Sequence, residues 1–400
     1  MKKSICFILC AVLCFIVCGC KSTVTINSAV TSSSESSQVS ENVSSETSST
    51  ESEAEPETKK LSIEDKISRL FIVKPEALNL DPTSGKVIAE TITAVNSRIS
   101  AALQKYKVSG VILFDKNILN ESQLKKFNSD LKDASELPFF ISVDEEGGNV
   151  SRLANHKNLS VANTGIPLNL KTEEKVKSAY QSIASYLDSF GFNLNFAPVA
   201  DVYTNPNNKV IGSRAFATDP EAVSKLLVSA MKGHALLPHC VKHFPGHGDT
   251  SEDTHNGTVT LNKTWEELLK CEIIPFKTAI ENGCDMIMTS HITLPKVTND
   301  NLPTSLSYDL VTGKLRNELG YDGVVITDSM AMGAITKNYS TGAAAVTAIK
   351  AGADIVLCTP NIAEAHSALL KAVKNGEISE ERIDESIKRI DALFKKYNIS

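Results

Sequence analysis

The chain has 400 residues, 42% of them apolar, and a formal net charge of −6 from 41 Lys and Arg against 47 Asp and Glu. That is enough apolar material for a sizeable core, and the absence of a basic excess argues against a nucleic-acid partner.

Residues 1–20 read as a secretory signal rather than as part of a fold. Lys2 and Lys3 form a basic start, and Ile5 to Val17 are almost wholly apolar. That run is short for a spanning helix of roughly 20 residues. It ends Val17-Cys18-Gly19-Cys20-Lys21, which resembles the lipobox of bacterial lipoproteins. The resemblance makes Cys20 the expected lipidated first residue and the protein extracytoplasmic, anchored to the cell membrane. An ordinary cleaved signal with incidental cysteines is the alternative. Residues 21–60 are mostly Ser, Thr and Glu, with no aromatic residue. Such a segment buries too little apolar surface to offset its ordering entropy, so it reads as a disordered tether.

Nine cysteines suggest a disulfide framework, but five of them fall at positions 6, 10, 14, 18 and 20. Cys240, Cys271, Cys284 and Cys358 are far apart and read as buried apolar residues. The stretch from Leu61 to Ser400, 61–400, is expected to be a single catalytic domain.

From Leu61 onward, short apolar runs alternate with longer amphipathic stretches. Ser62-Ile63-Glu64-Asp65 has the spacing of a capping box and opens a helix. Strands are expected at Leu70–Val73, Val111–Phe114, Phe139–Asp144, Leu194–Pro198, Cys240–Phe244, Met286–Thr289, Gly323–Asp328 and Asp354–Cys358. Helical patterns lie between them, among them Glu121–Leu131, Glu173–Phe190, Ala222–Leu236, Trp265–Glu281, Ser307–Glu318 and Ala343–Ala351. Ile362–Asn375 and Glu380–Tyr397 follow the last strand. Near-continuous apolar strands alternating with helices imply a parallel sheet covered by helices. Eight such units predict an α/β fold, a (β/α)8 TIM-like barrel, with a doubly wound open sheet as the alternative.

In barrels the chemistry sits at the carboxyl ends of the strands. Polar residues cluster there: Asp144-Glu145-Glu146, Asp201, Lys242-His243, Ser290-His291 and Asp328-Ser329. Asp328 ends a buried run, where an unpaired carboxylate costs stability, so it reads as functional; a helix N-cap is the alternative. After Lys242 and His243, Pro245, Gly246 and Gly248 stop any regular element, and a polar loop carries Asp253-Thr254-His255. Asp253 beside His255 is a candidate acid/base dyad, and Asp328 a candidate nucleophile. Arg152, Arg214 and Lys242 are donors for hydroxyl-rich or anionic substrates, and Asp144 is an acceptor for hydroxyl protons. A nucleophilic carboxylate with a proton donor is the kit of a retaining glycosidase, here with an imidazole replacing one of two carboxyl groups.

The segments Gly110-Val-Ile-Leu-Phe114, Asp144-Glu-Glu-Gly-Gly148 with Arg152-Leu153, and Asn195-Phe-Ala-Pro-Val-Ala-Asp201 resemble glycoside hydrolase family 3. So do Gly212-Ser-Arg-Ala-Phe216, Lys242-His-Phe-Pro-Gly-His-Gly248 and Ile326-Thr-Asp-Ser-Met330. Asp253-Thr254-His255 is similar to the NagZ-type β-N-acetylglucosaminidase branch, a group of β-N-acetylhexosaminidases with a His/Asp dyad on a loop. The resemblance implies that Asp328 forms a glycosyl-enzyme and that His255 is the acid/base with Asp253 as its partner. It implies that Asp144, Arg152, Arg214, Lys242 and His243 grip a terminal N-acetylglucosamine, as on cell-wall glycans. Glu145 stands where the family often has Gln, and Thr254 where it often has Ser. His247 is expected to hold the loop rather than react.

No cofactor and no metal are expected. His243, His247, Asp249 and His255 could suggest a zinc hydrolase, but Pro245, Gly246 and Gly248 forbid the helix that would present two His at i and i+4. The open alternatives are a β-N-acetylglucosaminide phosphorylase, a family 3 β-glucosidase and a non-catalytic sugar-binding lipoprotein.

Overall fold

The protein is described by a computed structural model covering residues 61–251, 257 and 259–400. The signal segment, Cys20, the tether, Asp253 and His255 lie outside the described residues. The described residues from Leu61 to Ser400 belong to one compact unit.

The barrel strands are β1 (Phe71–Val73), β2 (Gly110–Ile112), β3 (Phe140–Val143), β4 (Leu194–Asn195), β5 (Cys240–Phe244), β6 (Met286–Thr289), β7 (Val324–Thr327) and β8 (Val356–Leu357). Every residue in them is buried, as expected for parallel strands covered by helices on one side and by each other on the other. One parallel ladder runs β8-β1-β2-β3-β4 and a second runs β7-β6-β5. The parallel bridges Asn195↔His239 and Val199↔Lys242 join β4 to β5, and Ile326↔Ile355 joins β7 to β8. The ring therefore closes, and the open doubly wound sheet is excluded. At Gly110 a Cβ atom would meet the Phe140 carbonyl oxygen at 2.4 Å, so only glycine lets β2 and β3 approach this closely.

Helices fall where the periodicity put them, with two exceptions. The expected helix Trp265–Glu281 is two helices, Trp265–Leu268 and Ile274–Glu281. Pro275 occupies the first turn of the second, where its missing N–H costs nothing; in the middle of one long helix it would break the ladder. The stretch Asp309–Glu318 is a π-helix, a one-residue change of pitch that an apolar spacing pattern does not resolve. The start at Ser62 is half a capping box: the Ser62 hydroxyl accepts from Asp65 N–H, while the Asp65 carboxylate takes Lys107 Nζ at 3.1 Å.

The C-terminal helix Glu380–Lys396 packs on the amino ends of the strands. Asp354, just before β8, is fully buried and accepts from Arg316 Nη2 at 2.5 Å, Ser386 Oγ at 2.7 Å and Arg389 Nη1 at 3.3 Å. Asp285, just before β6, accepts from Lys396 Nζ at 2.6 Å and Tyr397 Oη at 2.7 Å. These pairs fasten the last helix under the barrel and leave the opposite end of the strands free for a pocket.

Candidate active site

At the carboxyl ends of the strands, Asp144, Arg152, Arg214, Lys242, His243 and Asp328 line one cavity of about 440 Å³. That size is ordinary for a small-molecule site.

The first wall comes from β3. The chain leaves it as Asp144-Glu145-Glu146 and forms a short hairpin, Glu145–Gly147 against Val150–Ser151. Asn195, buried at the end of β4, clamps the middle of that tripeptide. Its amide donates to Glu145 O at 2.8 Å and accepts from Glu145 N–H at 3.0 Å. Successive side chains of an extended segment point to opposite sides, so Asp144 and Glu146 face the pocket and Glu145 faces away. The Glu145 carboxylate accepts from Leu153 N–H (2.8 Å), Ala154 N–H (3.1 Å) and Tyr186 Oη (2.8 Å), with burial pushing its pKa up. Glu145 thus fixes the segment that carries Arg152.

Glu146 is the hub. Arg214 grips it through Nε and Nη2, both at 2.8 Å, and Lys242 Nζ lies 2.7 Å from its Oε1. Lys242 Nζ also donates to Asp144 Oδ1 at 2.8 Å. Burial pushes the Glu146 carboxyl up, but Arg214 and Lys242 outweigh it and hold it far below the usual carboxylate range. Burial likewise opposes the Lys242 charge, and Asp144 with Glu146 more than restores it. Two carboxylates therefore balance two cations in a dry wall, which is what makes a buried charge cluster tolerable.

Lys242 and His243 both face the cavity although they are neighbours in β5. The ladder to β6 shifts register between Lys242 and Phe244, which breaks the strand's alternation. Asp201 orients the imidazole: its Oδ2 lies 2.7 Å from His243 Nδ1 and its Oδ1 accepts from His247 N–H at 2.7 Å. His243 Nδ1 therefore carries the proton, and Nε2 faces Arg214 Nη2 at 3.3 Å. Burial raises the Asp201 pKa, and His243 with His247 brings it below the ordinary value.

Asp328 ends β7. Its N–H donates to Thr289 O at 2.8 Å, and its Oδ1 accepts from Ser329 N–H at 2.6 Å. The next helix, Gly333–Thr336, is capped by Met332, so Asp328 is not its N-cap. Burial pushes the Asp328 carboxyl up, yet His291, His243, the Ser329 N–H and Lys242 together leave it below the ordinary carboxylate value. It is an ionised carboxylate in a pocket, the state a nucleophile needs.

Arg152 stands at the rim, with Nη1 3.7 Å from Asp115 Oδ2 and its guanidinium 5.6 Å from the Phe114 ring centre. The described chain on either side of residues 252–256 is tied down. Thr250 Oγ1 lies 2.7 Å from His247 Nδ1, and Lys263 holds Asp249 at 2.9 Å. The chain returns at Val259–Thr260, which pairs in parallel with Ile292–Thr293. At Gly248 a Cβ atom would overlap the Val202 carbonyl oxygen at 1.8 Å, so the loop's root requires glycine. Among the described residues no group of three or more His, Cys, Asp or Glu side chains is arranged to hold a metal ion. Sequence reasoning passed over Glu146, Asp201 and Lys74 as site residues; their signal was position just past a strand.

The family model of the glycosyl hydrolase family 3 N terminal domain matches residues 62–393. The chain belongs to this family. It is 33% identical over 338 residues to beta-hexosaminidase A of Pseudoalteromonas piscicida, covering 76% of this chain and 56% of the relative. It is 33% identical over 271 residues to a beta-hexosaminidase of Xylella fastidiosa, covering 65% of this chain and 79% of the relative. Among solved structures, a family 3 beta-N-acetylglucosaminidase from Paenibacillus superposes with a TM-score of 0.77 at 36% identity, over 85% of this chain and 63% of that one. The family 3 chain thus spans just over half of the Pseudoalteromonas enzyme and under two thirds of the Paenibacillus one.

Proposed function

We propose that this family 3 domain is a retaining exo-β-N-acetylhexosaminidase that removes terminal β-linked N-acetylglucosamine from cell-wall or other glycans. The observation that carries the reading is Asp328, an ionised, half-buried carboxylate at the end of β7, facing a charge-balanced wall of hydroxyl-binding groups. Relatives that are 33% to 36% identical carry hexosaminidase names, which supports the choice of sugar.

In the first step an Asp328 carboxylate oxygen attacks the anomeric carbon. The glycosidic C–O bond breaks, and His255, oriented by Asp253, gives its proton to the departing oxygen. Asp144, Arg152, Arg214, Lys242 and His243 hold the sugar hydroxyls, and the Glu146 and Asp201 carboxylates keep those donors aimed. In the second step His255 takes a proton from water, whose oxygen displaces Asp328 and restores the carboxylate. His255 follows the glycine-rich stretch Gly246-His247-Gly248 in sequence, which would let it move in after substrate binds.

The test separates the two roles. Asp328→Ala should abolish turnover of every aryl β-N-acetylglucosaminide. His255→Ala should cost about 100- to 10,000-fold with an alcohol leaving group, yet give a burst with a dinitrophenyl substrate as a glycosyl adduct on Asp328 accumulates. Mass spectrometry without that adduct, together with equal losses on both substrates, would overturn the assignment. Faster hydrolysis of the aryl glucoside would overturn the choice of sugar, and acceleration by phosphate would make the enzyme a phosphorylase.

A further inference from the structure

Behind the wall of Asp144, Glu146, Lys242 and Arg214 stands a histidine that does not line the cavity. His234 caps the C-terminus of the helix Pro220–Gly233 and is wholly buried. At Gly233 a Cβ atom would meet the Lys177 carbonyl oxygen at 2.5 Å, so glycine lets this helix close on Glu173–Ser189 and brings the next residue, His234, into the packing. There it meets two side chains that hold the Asp144–Glu146 segment by its backbone. One is Asn195, whose Nδ2 donates to Glu145 O at 2.8 Å and whose Oδ1 accepts from Glu145 N–H at 3.0 Å. The other is Tyr180, whose Oη donates to Glu146 O at 3.2 Å. The Tyr180 ring centre lies 5.9 Å from that of His234, edge to face.

The proton positions in this cluster follow by elimination. The two contacts with Glu145 fix which end of the Asn195 amide is nitrogen. That nitrogen also lies 2.9 Å from His234 Nε2. An amide nitrogen only donates, so Nε2 is a bare acceptor and the imidazole proton sits on Nδ1, which faces Leu237 O at 3.4 Å. Burial depresses the His234 pKa to about 3, and His239 acts in the same direction, so the ring is neutral at ordinary pH. Among the described residues Nε2 is the one acceptor for the second Asn195 amide hydrogen. Without it a buried N–H stands unpaired, and the carboxamide relieves this by turning away from Glu145.

We propose that His234 is a positioning residue for the sugar-binding wall. Its Nε2 lone pair holds Asn195, Asn195 holds the Glu145 backbone, and that backbone sets Asp144 and Glu146, which aim Lys242 and Arg214. Asp328, on β7, stands outside this chain of contacts. The kinetic part of the test rests on the hydrolase reading above.

The test compares His234→Leu and His234→Gln in the full chain on an aryl β-N-acetylglucosaminide. Leu keeps the bulk and removes the acceptor, so KM should rise about 10-fold with kcat nearly unchanged, a fraction of the roughly 100-fold loss expected from a misplacement of about 1 Å. Gln places an oxygen near the lost Nε2 and should restore most of that loss. In an Asn195→Ala background His234→Leu should add nothing, since residues that act through one contact are not additive. A merely structural role predicts that Gln is no better than Leu, that kcat falls with the rise in KM, or that the two substitutions add; each of these overturns the proposal. Heteronuclear NMR of the imidazole nitrogens reads the tautomer without substrate. A protonated Nδ1 and a bare Nε2 are expected, and a proton on Nε2 overturns the proposal; where His234→Leu fails to fold, this result decides. If the wild type turns over no aryl sugar, the hydrolase reading has failed, and calorimetric binding of N-acetylglucosamine replaces KM. Binding about 10-fold weaker in His234→Leu and recovered in His234→Gln supports the positioning role, and equal binding in all three proteins overturns it.

Discussion

Replacing Glu146 by Gln tests whether the buried charge cluster, rather than any one substrate contact, sets the geometry of the site. Glu146 accepts two hydrogen bonds from Arg214 at 2.8 Å and one contact from Lys242 at 2.7 Å, with its side chain wholly buried. An amide keeps the shape but presents one acceptor and one donor in place of two anionic oxygens. One edge then sets N–H against N–H, and Arg214 and Lys242 share the single charge of Asp144. Removing one partner of a buried pair costs about 3–5 kcal/mol. Unfolding entropy of about 2.1 cal/mol/K per residue gives, for a unit of roughly 340 residues, about 0.7 kcal/mol/K. The melting temperature should therefore fall by about 4–7 °C. Displacement of the two donors by about 1 Å should lower kcat/KM about 100-fold, chiefly through KM, because in the proposed mechanism Glu146 acts by aiming the donors that hold the sugar. Scanning calorimetry and steady-state kinetics on an aryl substrate measure both. A Glu146→Gln protein that melts within a degree of the wild type, with kinetics unchanged, would refute the account of the cluster.

Asp285 predicts the acid limb of stability. Burial raises its pKa, but His239, Lys396 and Tyr397 hold the carboxyl well below the usual range, so it stabilises the fold above the ordinary carboxylate value of about 3.9 and loses that contribution as pH falls. Asp285→Asn should melt lower at neutral pH and lose less on acidification; parallel curves of melting temperature against pH would contradict this. We also propose that the mature protein begins at Cys20, because Val17-Cys18-Gly19-Cys20 precedes a tether. Cys20→Ala should then leave the membrane fraction, and continued sedimentation with membranes would show that no lipid on Cys20 anchors it.

The barrel was legible because strands buried on both faces must be apolar throughout, and each such run ended in a polar residue where the strand met the pocket. Asp328 and the Lys242-His243 pair followed from that alone. Glu146 did not, because which residues of Asp144-Glu145-Glu146 face the cavity depends on Asn195 clamping Glu145 from a neighbouring strand. Asp201 was legible as a polar residue past its strand, but its role was not, since its partner His243 lies on another strand. Lys74 was not singled out in the sequence. The turn at Pro75 and the placement of Phe114 under it are tertiary facts. The break before Pro275 was readable and was passed over in favour of a continuous apolar spacing.

The three carboxylates of the cavity differ in how their charge is held, and that difference supports the roles proposed for them. Glu146 is bound directly by a guanidinium and an ammonium, and Asp144 by the same ammonium. Oxygens engaged in such short contacts have their lone pairs committed to the cations, which makes them poor attackers and good anchors. Burial pushes the Asp328 carboxyl up, while His291, His243, the Ser329 N–H at 2.6 Å and Lys242 bring it below the ordinary carboxylate value. The pocket thus keeps the Asp328 carboxylate charged before substrate arrives. Electrostatic support fixed in place before the substrate arrives costs no reorganisation when charge moves from Asp328 to the leaving oxygen. In the proposed mechanism proton transfer is then the one task left to His255.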